Sequence, residues 1–119
     1  MSVQVSRKGS EIAVVISQTN VAAATEVEIP LGITRGRLLR VIADKTAGSA
    51  STLASLLGIA TNPAGSSIVF EADAAATVDS QIVGGATFST SGGSLFYRAK
   101  PDSGSNNSVT TILHILVGW

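Results

Sequence analysis

Apolar and polar residues alternate along much of the chain, in short runs that are separated by turn residues. Successive side chains of a β-strand point to opposite faces, so a period of two predicts strands with one face on a core. The clearest case has Val27 and Ile29 on one side and Glu26 and Glu28 on the other. The strands predicted in this way are Ser2–Arg7, Glu11–Gln18, Thr25–Leu31, Arg37–Asp44, Ser66–Ala72, Thr77–Val83, Ser94–Lys100 and Ser108–Trp119.

About eight strands at this spacing predict an all-β fold, a single antiparallel β-sandwich domain of jelly-roll-like type over residues 1–119. Pro30 places the third strand at a sheet edge or its end, because proline donates no hydrogen bond to a neighbouring strand. Gly84 and Gly85 are predicted to end the Thr77–Val83 strand. Ser51–Ala60 fits both helical and strand spacing, and we favour a strand because its neighbours are all strands.

The last predicted strand is apolar on both faces. Its second face carries Ile112, His114 and Leu116, and the chain ends on Trp119. A strand of this kind needs cover on both sides, so we expect it to lie centrally in its sheet. Another sheet or a neighbouring subunit is expected to cover Ile112, His114, Leu116 and Trp119, which makes them the predicted subunit interface.

Composition narrows the class of protein. Hydrophobic residues make up 45% of the chain and charged residues only 13%, about half the usual share. Eight basic and eight acidic side chains cancel, so no excess charge favours nucleic acid or an anionic membrane. With no cysteine, no apolar secretory leader and no apolar stretch of membrane-spanning length, we expect a soluble protein made in the cytoplasm.

No residue pattern indicates catalysis. His114 is the only histidine, and no cysteine can join it in a metal site. Glu26 and Glu28 lie two residues apart, as the solvent-facing residues of a strand normally do. Asp102–Asn107 is rich in oxygen ligands but lacks the acidic repeat of a calcium loop. We therefore predict no enzymatic activity, no cofactor and no metal.

Arg35, Arg37 and Arg40 form a basic cluster without the interleaved aromatic residues that bind single-stranded nucleic acid. The sequence favours a solvated edge or half of a charge-complementary protein interface. Glu26 and Glu28 are the candidates for the other half of that interface.

Two stretches, Gly36–Leu56 and Gly92–Val117, resemble small β-sandwich virion proteins of tailed bacteriophages that decorate or cement the outside of an icosahedral head. The resemblance implies a jelly-roll-like fold and a homo-oligomer, often a trimer at a capsid symmetry axis. It also implies binding to the major capsid protein and a location on the capsid surface of the virion.

In such a cement protein Arg35, Arg37, Arg40, Glu26 and Glu28 become the predicted capsid contacts. Members of this class often reach over the capsid with a long N-terminal arm, whereas here a strand is predicted almost from the first residue. Loops or a sheet edge are then expected to provide the grip.

Three other functions remain open at this stage. One is a fibre or tail component of the virion, and another is a shell-forming coat protein, against which the neutral charge balance counts. The third is a carbohydrate-binding module, for which Tyr97 and Trp119 are the candidate stacking platforms.

Overall fold

The computed structural model describes residues 2–19, 26–48, 57–63, 66–72, 77–98 and 107–118. Nine β-strands are found in these residues. They are β1 (Ser2–Lys8), β2 (Glu11–Gln18), β3 (Glu26–Pro30), β4 (Arg35–Ala47), β5 (Leu57–Asn62), β6 (Ser66–Ala72), β7 (Thr77–Ser89), β8 (Ser94–Arg98) and β9 (Ser108–Val117).

The strands form two antiparallel sheets. The five-stranded sheet has the order β1-β2-β9-β4-β7, and the four-stranded sheet has the order β3-β8-β5-β6. Within them β2 pairs with β9, β3 with β8, β4 with β7 and β5 with β6. This nested pairing is that of one long hairpin rolled into two layers, which is the jelly-roll arrangement. The predicted all-β, jelly-roll-like sandwich is confirmed, and β1 is a ninth strand outside the eight that make the roll.

The core lies between the sheets and is formed by every second residue of the inner strands. Leu113 and Ile115 of β9 are almost fully buried and face Ile29 and Leu95 of the four-stranded sheet as members of one apolar cluster. Burying a side chain of this size contributes about 1.5–3 kcal/mol, so the alternation seen in the sequence sets the fold. The largest core side chain is that of Tyr97 on β8.

Several strand predictions are confirmed. β9 is the third of five strands and therefore central, and β3, which ends at Pro30, is an edge strand. The strand preferred for Ser51–Ala60 is found from residue 57 onward, with Ile59 buried, while residues 51–56 lie outside the described part of the chain.

Two predicted boundaries are wrong. β4 begins at Arg35, two residues before the predicted start at Arg37. β7 does not end at Gly84-Gly85 but continues to Ser89. On β7, Gln81 pairs with Arg40 and Ala86 pairs with Leu38, so four residues of β7 bulge out opposite one residue of β4. Both glycines have positive φ, 77° and 78°, and glycine adopts such a turn without the strain of a Cβ.

β1 differs from the other strands in its burial. It forms a hairpin with β2 through a two-residue turn in which Gly9 has a φ of 63°. All of its residues except Val3 are exposed, and Val5, which pairs with the buried Val14 and so lies on the core side, is 37% exposed. The four-stranded sheet therefore leaves most of β1 uncovered.

Candidate interaction surface

The five-stranded sheet has one side on the core, and its other side is called here the outer face. The register places Val15 of β2, Ile112 of β9 and Ile42 of β4 directly beside one another on this side. All three are only partly buried. An antiparallel sheet with one solvated face normally carries polar residues there, so the central apolar row makes this face a candidate interaction surface.

Neighbouring rows of the outer face mix apolar and charged residues. In one row Ala13 of β2 and Arg40 of β4 flank His114. In the next row Glu11 and Arg37 flank Leu116. An apolar centre with a charged surround is the layout of a protein–protein interface, whose rim stays wet while its centre is dry.

A β-bulge in β4 brings both arginines to this face. Leu38 pairs with Ile115 and Arg40 pairs with His114, and these two partners are adjacent residues of β9. Leu39 is therefore the extra residue that forms the bulge. In a regular strand Arg37 and Arg40 would point to opposite sides, because they are three positions apart in the sequence. The extra residue restores the same side, and Arg40 lies on the outer face beside Arg37.

Arg40 is paired within the chain. Its Nε and Nη2 donate hydrogen bonds to Oδ1 and Oδ2 of Asp79 on β7, at 2.9 and 2.8 Å. The hydrogen bonds from Arg40 lower the pKa of the Asp79 carboxyl, and the carboxylate in turn raises the pKa of Arg40. The two side chains remain 38% and 50% exposed, so this bidentate pair is a preformed polar rim beside the apolar row.

Arg37 packs its stem against the bulge of β7. A Cβ built on Gly85 would lie 2.9 Å from the Cβ of Arg37, which shows how closely the two strands approach. Among the described residues, the buried Nε of Arg37 has no hydrogen-bond partner. The bulge also carries Val83, whose side chain is fully exposed.

Glu26 and Glu28 lie on β3, in the other sheet, and do not join the arginines. Oε2 of Glu26 accepts a hydrogen bond from Nε of Arg98 at 3.1 Å, and Oε2 of Glu28 accepts one from Oγ of Ser94 at 2.9 Å. Arg35 is exposed at the start of β4. The predicted capsid contacts are thus divided between the two sheets.

The structure brings together Ile112, His114 and Leu116 of the predicted subunit interface with Arg37 and Arg40. Ile112 and Leu116 are partly buried and His114 is exposed, so the described part of the chain forms no second layer over this side of β9. Trp119 lies outside the described residues. Sequence reasoning missed Val15 and Ile42, although Val15 with Ala13 gives β2 a second apolar face that repeats the signal of β9.

An open hollow of about 380 Å³ lies at one end of the outer face, where the β1–β2 hairpin meets the bulge of β4. Its lining includes Lys8, Glu11, Ala13, Leu39 and His114. Ala13 and Leu39 give the hollow apolar walls, and Lys8 and Glu11 add charged groups. The hollow therefore has the same mixture of apolar and charged side chains as the outer face.

Neither a cluster of metal ligands nor a stacking platform at Tyr97 is found in the described residues. No three of their His, Asp or Glu side chains converge as metal ligands. Tyr97 is completely buried and hydrogen-bonded to Thr111, which removes it as a stacking platform for a sugar. Asp102–Asn107, the oxygen-rich segment, is outside the described residues except for Asn107, which is buried.

Comparison of the chain with protein-family models and with curated proteins finds no match. In the described part of the chain, no helix is long and apolar enough to cross a membrane.

Proposed function

We propose that this protein is a non-enzymatic structural module that works by binding protein surfaces, and that its role is to decorate and stabilise the outside of a tailed-bacteriophage capsid. The observation that carries the binding role is the apolar row of Val15, Ile112 and Ile42 at the centre of the outer face. The jelly-roll fold and the resemblance of two stretches to phage decoration proteins support the virion role.

The outer face is proposed as the contact between subunits of a homo-oligomer, for which the resemblance favours a trimer. Covering Ile112 and Leu116 removes apolar surface from water, which stabilises an interface by about 25 cal/mol for each Å² buried. Arg37, Arg40 and Asp79 then form part of its rim, where charges set the register and the rate of association.

The contact with the major capsid protein is proposed for charged groups outside that interface. Arg35 is exposed at the end of the five-stranded sheet, and Glu28 is exposed on the four-stranded sheet. Glu26 completes this set, although its ion pair with Arg98 is kept within the chain. Such contacts are expected to weaken with rising salt, because salt screens exposed charges.

The test uses capsids that lack the protein. Purified protein is added to these heads, and its occupancy and the temperature of DNA release are measured. The proposal expects saturable binding and a higher release temperature at full occupancy. Heads that take up no protein, or that gain no resistance to heat, would refute the capsid role.

A double variant, Arg35→Glu with Glu28→Lys, separates capsid binding from folding and self-association. It is expected to bind heads more weakly with unchanged unfolding temperature and oligomer size. The matched control is Glu71→Lys, which reverses a charge at an exposed position on β6, outside the outer face and outside the proposed capsid contacts, and is expected to bind heads normally.

A further inference from the structure

The free edge of the five-stranded sheet is formed by β1, and its backbone has a defined polarity. The peptide N–H of Val117 donates to the carbonyl oxygen of Ser10 at 2.8 Å, between β9 and the start of β2. Hydrogen-bonded and non-hydrogen-bonded positions alternate along an antiparallel pair. The β2 residues that bond to β9 are therefore Ile12, Val14 and Ile16.

The intervening β2 residues direct their backbone groups to β1. Glu11, Ala13 and Val15 pair with Lys8, Ser6 and Gln4. The remaining residues of β1, which are Val3, Val5 and Arg7, therefore point their N–H and C=O groups away from the sheet. β1 is the end strand of its sheet, so no described strand receives these groups.

We propose that β1 pairs antiparallel with β1 of a second copy of this chain, around a two-fold axis at Val5. The five-stranded sheets of two copies would thus join into one continuous sheet of ten strands. This contact is distinct from the outer face and does not rest on the proposed function.

The length of β1 and the charges on its side chains both favour this register. Centring the axis on Val5 is the one arrangement that pairs all seven residues of β1, from Ser2 to Lys8. It places Arg7 opposite Val3 and Lys8 opposite Ser2 of the second copy. An axis at Arg7 would set two guanidinium groups against each other, and like charges directly opposite destabilise a strand pair.

The exposure of the Val5 side chain favours a second copy of β1 as the strand that pairs with this edge. Val5 is 37% exposed although its pairing with the buried Val14 places it on the core side of the sheet. In the proposed register the two Val5 side chains lie side by side. Each valine then covers the other. An exposed strand edge is a site of uncontrolled association, and pairing with a second β1 gives this edge a defined partner.

The test uses single cysteines in a chain that has none of its own. In the proposed dimer the two Cα atoms at position 5 are about 5.5 Å apart, a separation that a disulfide can bridge. Val5→Cys is therefore expected to form a disulfide-linked dimer under mild oxidation. The matched control is Gln4→Cys, which is also at an exposed position but faces Ser6 of the second copy.

We expect Val5→Cys to cross-link at least about tenfold faster than Gln4→Cys at equal protein concentration, as a contact that holds position 5 together requires. Equal rates for the two variants would overturn the proposal, as would a failure of both to form dimers. Circular dichroism confirms that each variant is folded.

A second experiment requires no covalent bond. Val5→Lys and Val5→Glu copies are each expected to lose the β1 contact, because like charges meet at the axis. Mixing them in equal amounts is expected to give heterodimers by native mass spectrometry. A mixture in which heterodimers are no more abundant than either homodimer would contradict the two-fold register.

Discussion

At the scale of single residues, the most constrained polar contact is the hydrogen bond between the hydroxyls of Tyr97 and Thr111. Both residues are completely buried, and they lie on opposite sheets, β8 and β9. One hydroxyl donates a hydrogen bond to the other, and both side chains are removed from water. A buried hydroxyl without a partner costs about 1–3 kcal/mol, so this bond fixes the two sheets relative to each other.

Tyr97→Phe is expected to lower the free energy of unfolding by about 1–3 kcal/mol, because it leaves the Thr111 hydroxyl unpaired in the core. Adding Thr111→Val to that variant is expected to recover much of the loss, since both polar groups are then gone. Urea unfolding of the two single variants and the double variant measures this. Additive losses in the double variant would show that the two hydroxyls act independently.

Burial also raises the pKa of Tyr97 to about 12, although the hydrogen bond to Thr111 opposes part of the shift. The folded state therefore favours the neutral phenol, and this contribution is fully present below pH 10. It is lost as the pH rises from 10 towards 12, and amounts to about 2–3 kcal/mol at 1.36 kcal/mol per pH unit. Chemical unfolding at pH 8 and pH 11.5 is expected to show a larger drop for the wild type than for Tyr97→Phe.

At the scale of elements, β4 shows how a β-bulge obscures the alternation of apolar and polar residues that identifies a strand in the sequence. Read with a strict period of two, both faces of β4 are mixed. Once Leu39 is set apart as the extra residue, Leu38, Val41 and Ala43 face the core and are fully buried. With the bulge taken into account, apolar and polar residues alternate regularly along β4. The same bulge places Arg37 and Arg40 on one face of the sheet.

Deleting Leu39 is expected to leave a folded protein, because the remaining residues of β4 alternate correctly without the bulge. Deleting Val41 leaves the same number of residues but places Arg40 towards the core if the strand becomes regular. It is expected to abolish cooperative unfolding, since a buried unpaired charge is severely destabilising. Thermal unfolding followed by circular dichroism compares the two, and equal stability would contradict this account of the bulge.

Strands with unbroken alternation, such as β2 and β3, were predictable from the sequence almost to the residue. β7 was not, because its glycine-rich bulge resembles a strand end until the pairing with β4 is known. The outer face was predictable from β9, where Ile112 and Leu116 interrupt the expected polar face, and from the second apolar face of β2. Val15 and Ile42 join it through strand order, which a period of two does not contain.

At the scale of the whole molecule, two surfaces formed by the described residues are candidates for partners, and both belong to the five-stranded sheet. The outer face offers an apolar centre with a charged rim, while the edge at β1 offers backbone hydrogen bonds. A jelly roll that exposes both is suited to assembly, since one surface can hold subunits face to face and the other edge to edge.

The most direct test of the central claim is sedimentation velocity over a range of protein concentrations, with the wild type, Ile112→Asp and Ser89→Asp. The first substitution places a charge in the centre of the apolar row, and the second places the same charge at an exposed position on the edge strand of the same face. We predict that the wild type and Ser89→Asp form the same oligomer. Ile112→Asp should remain folded and lose the face-to-face contact. Identical sedimentation of all three proteins would contradict the claim that the outer face is a protein-binding surface.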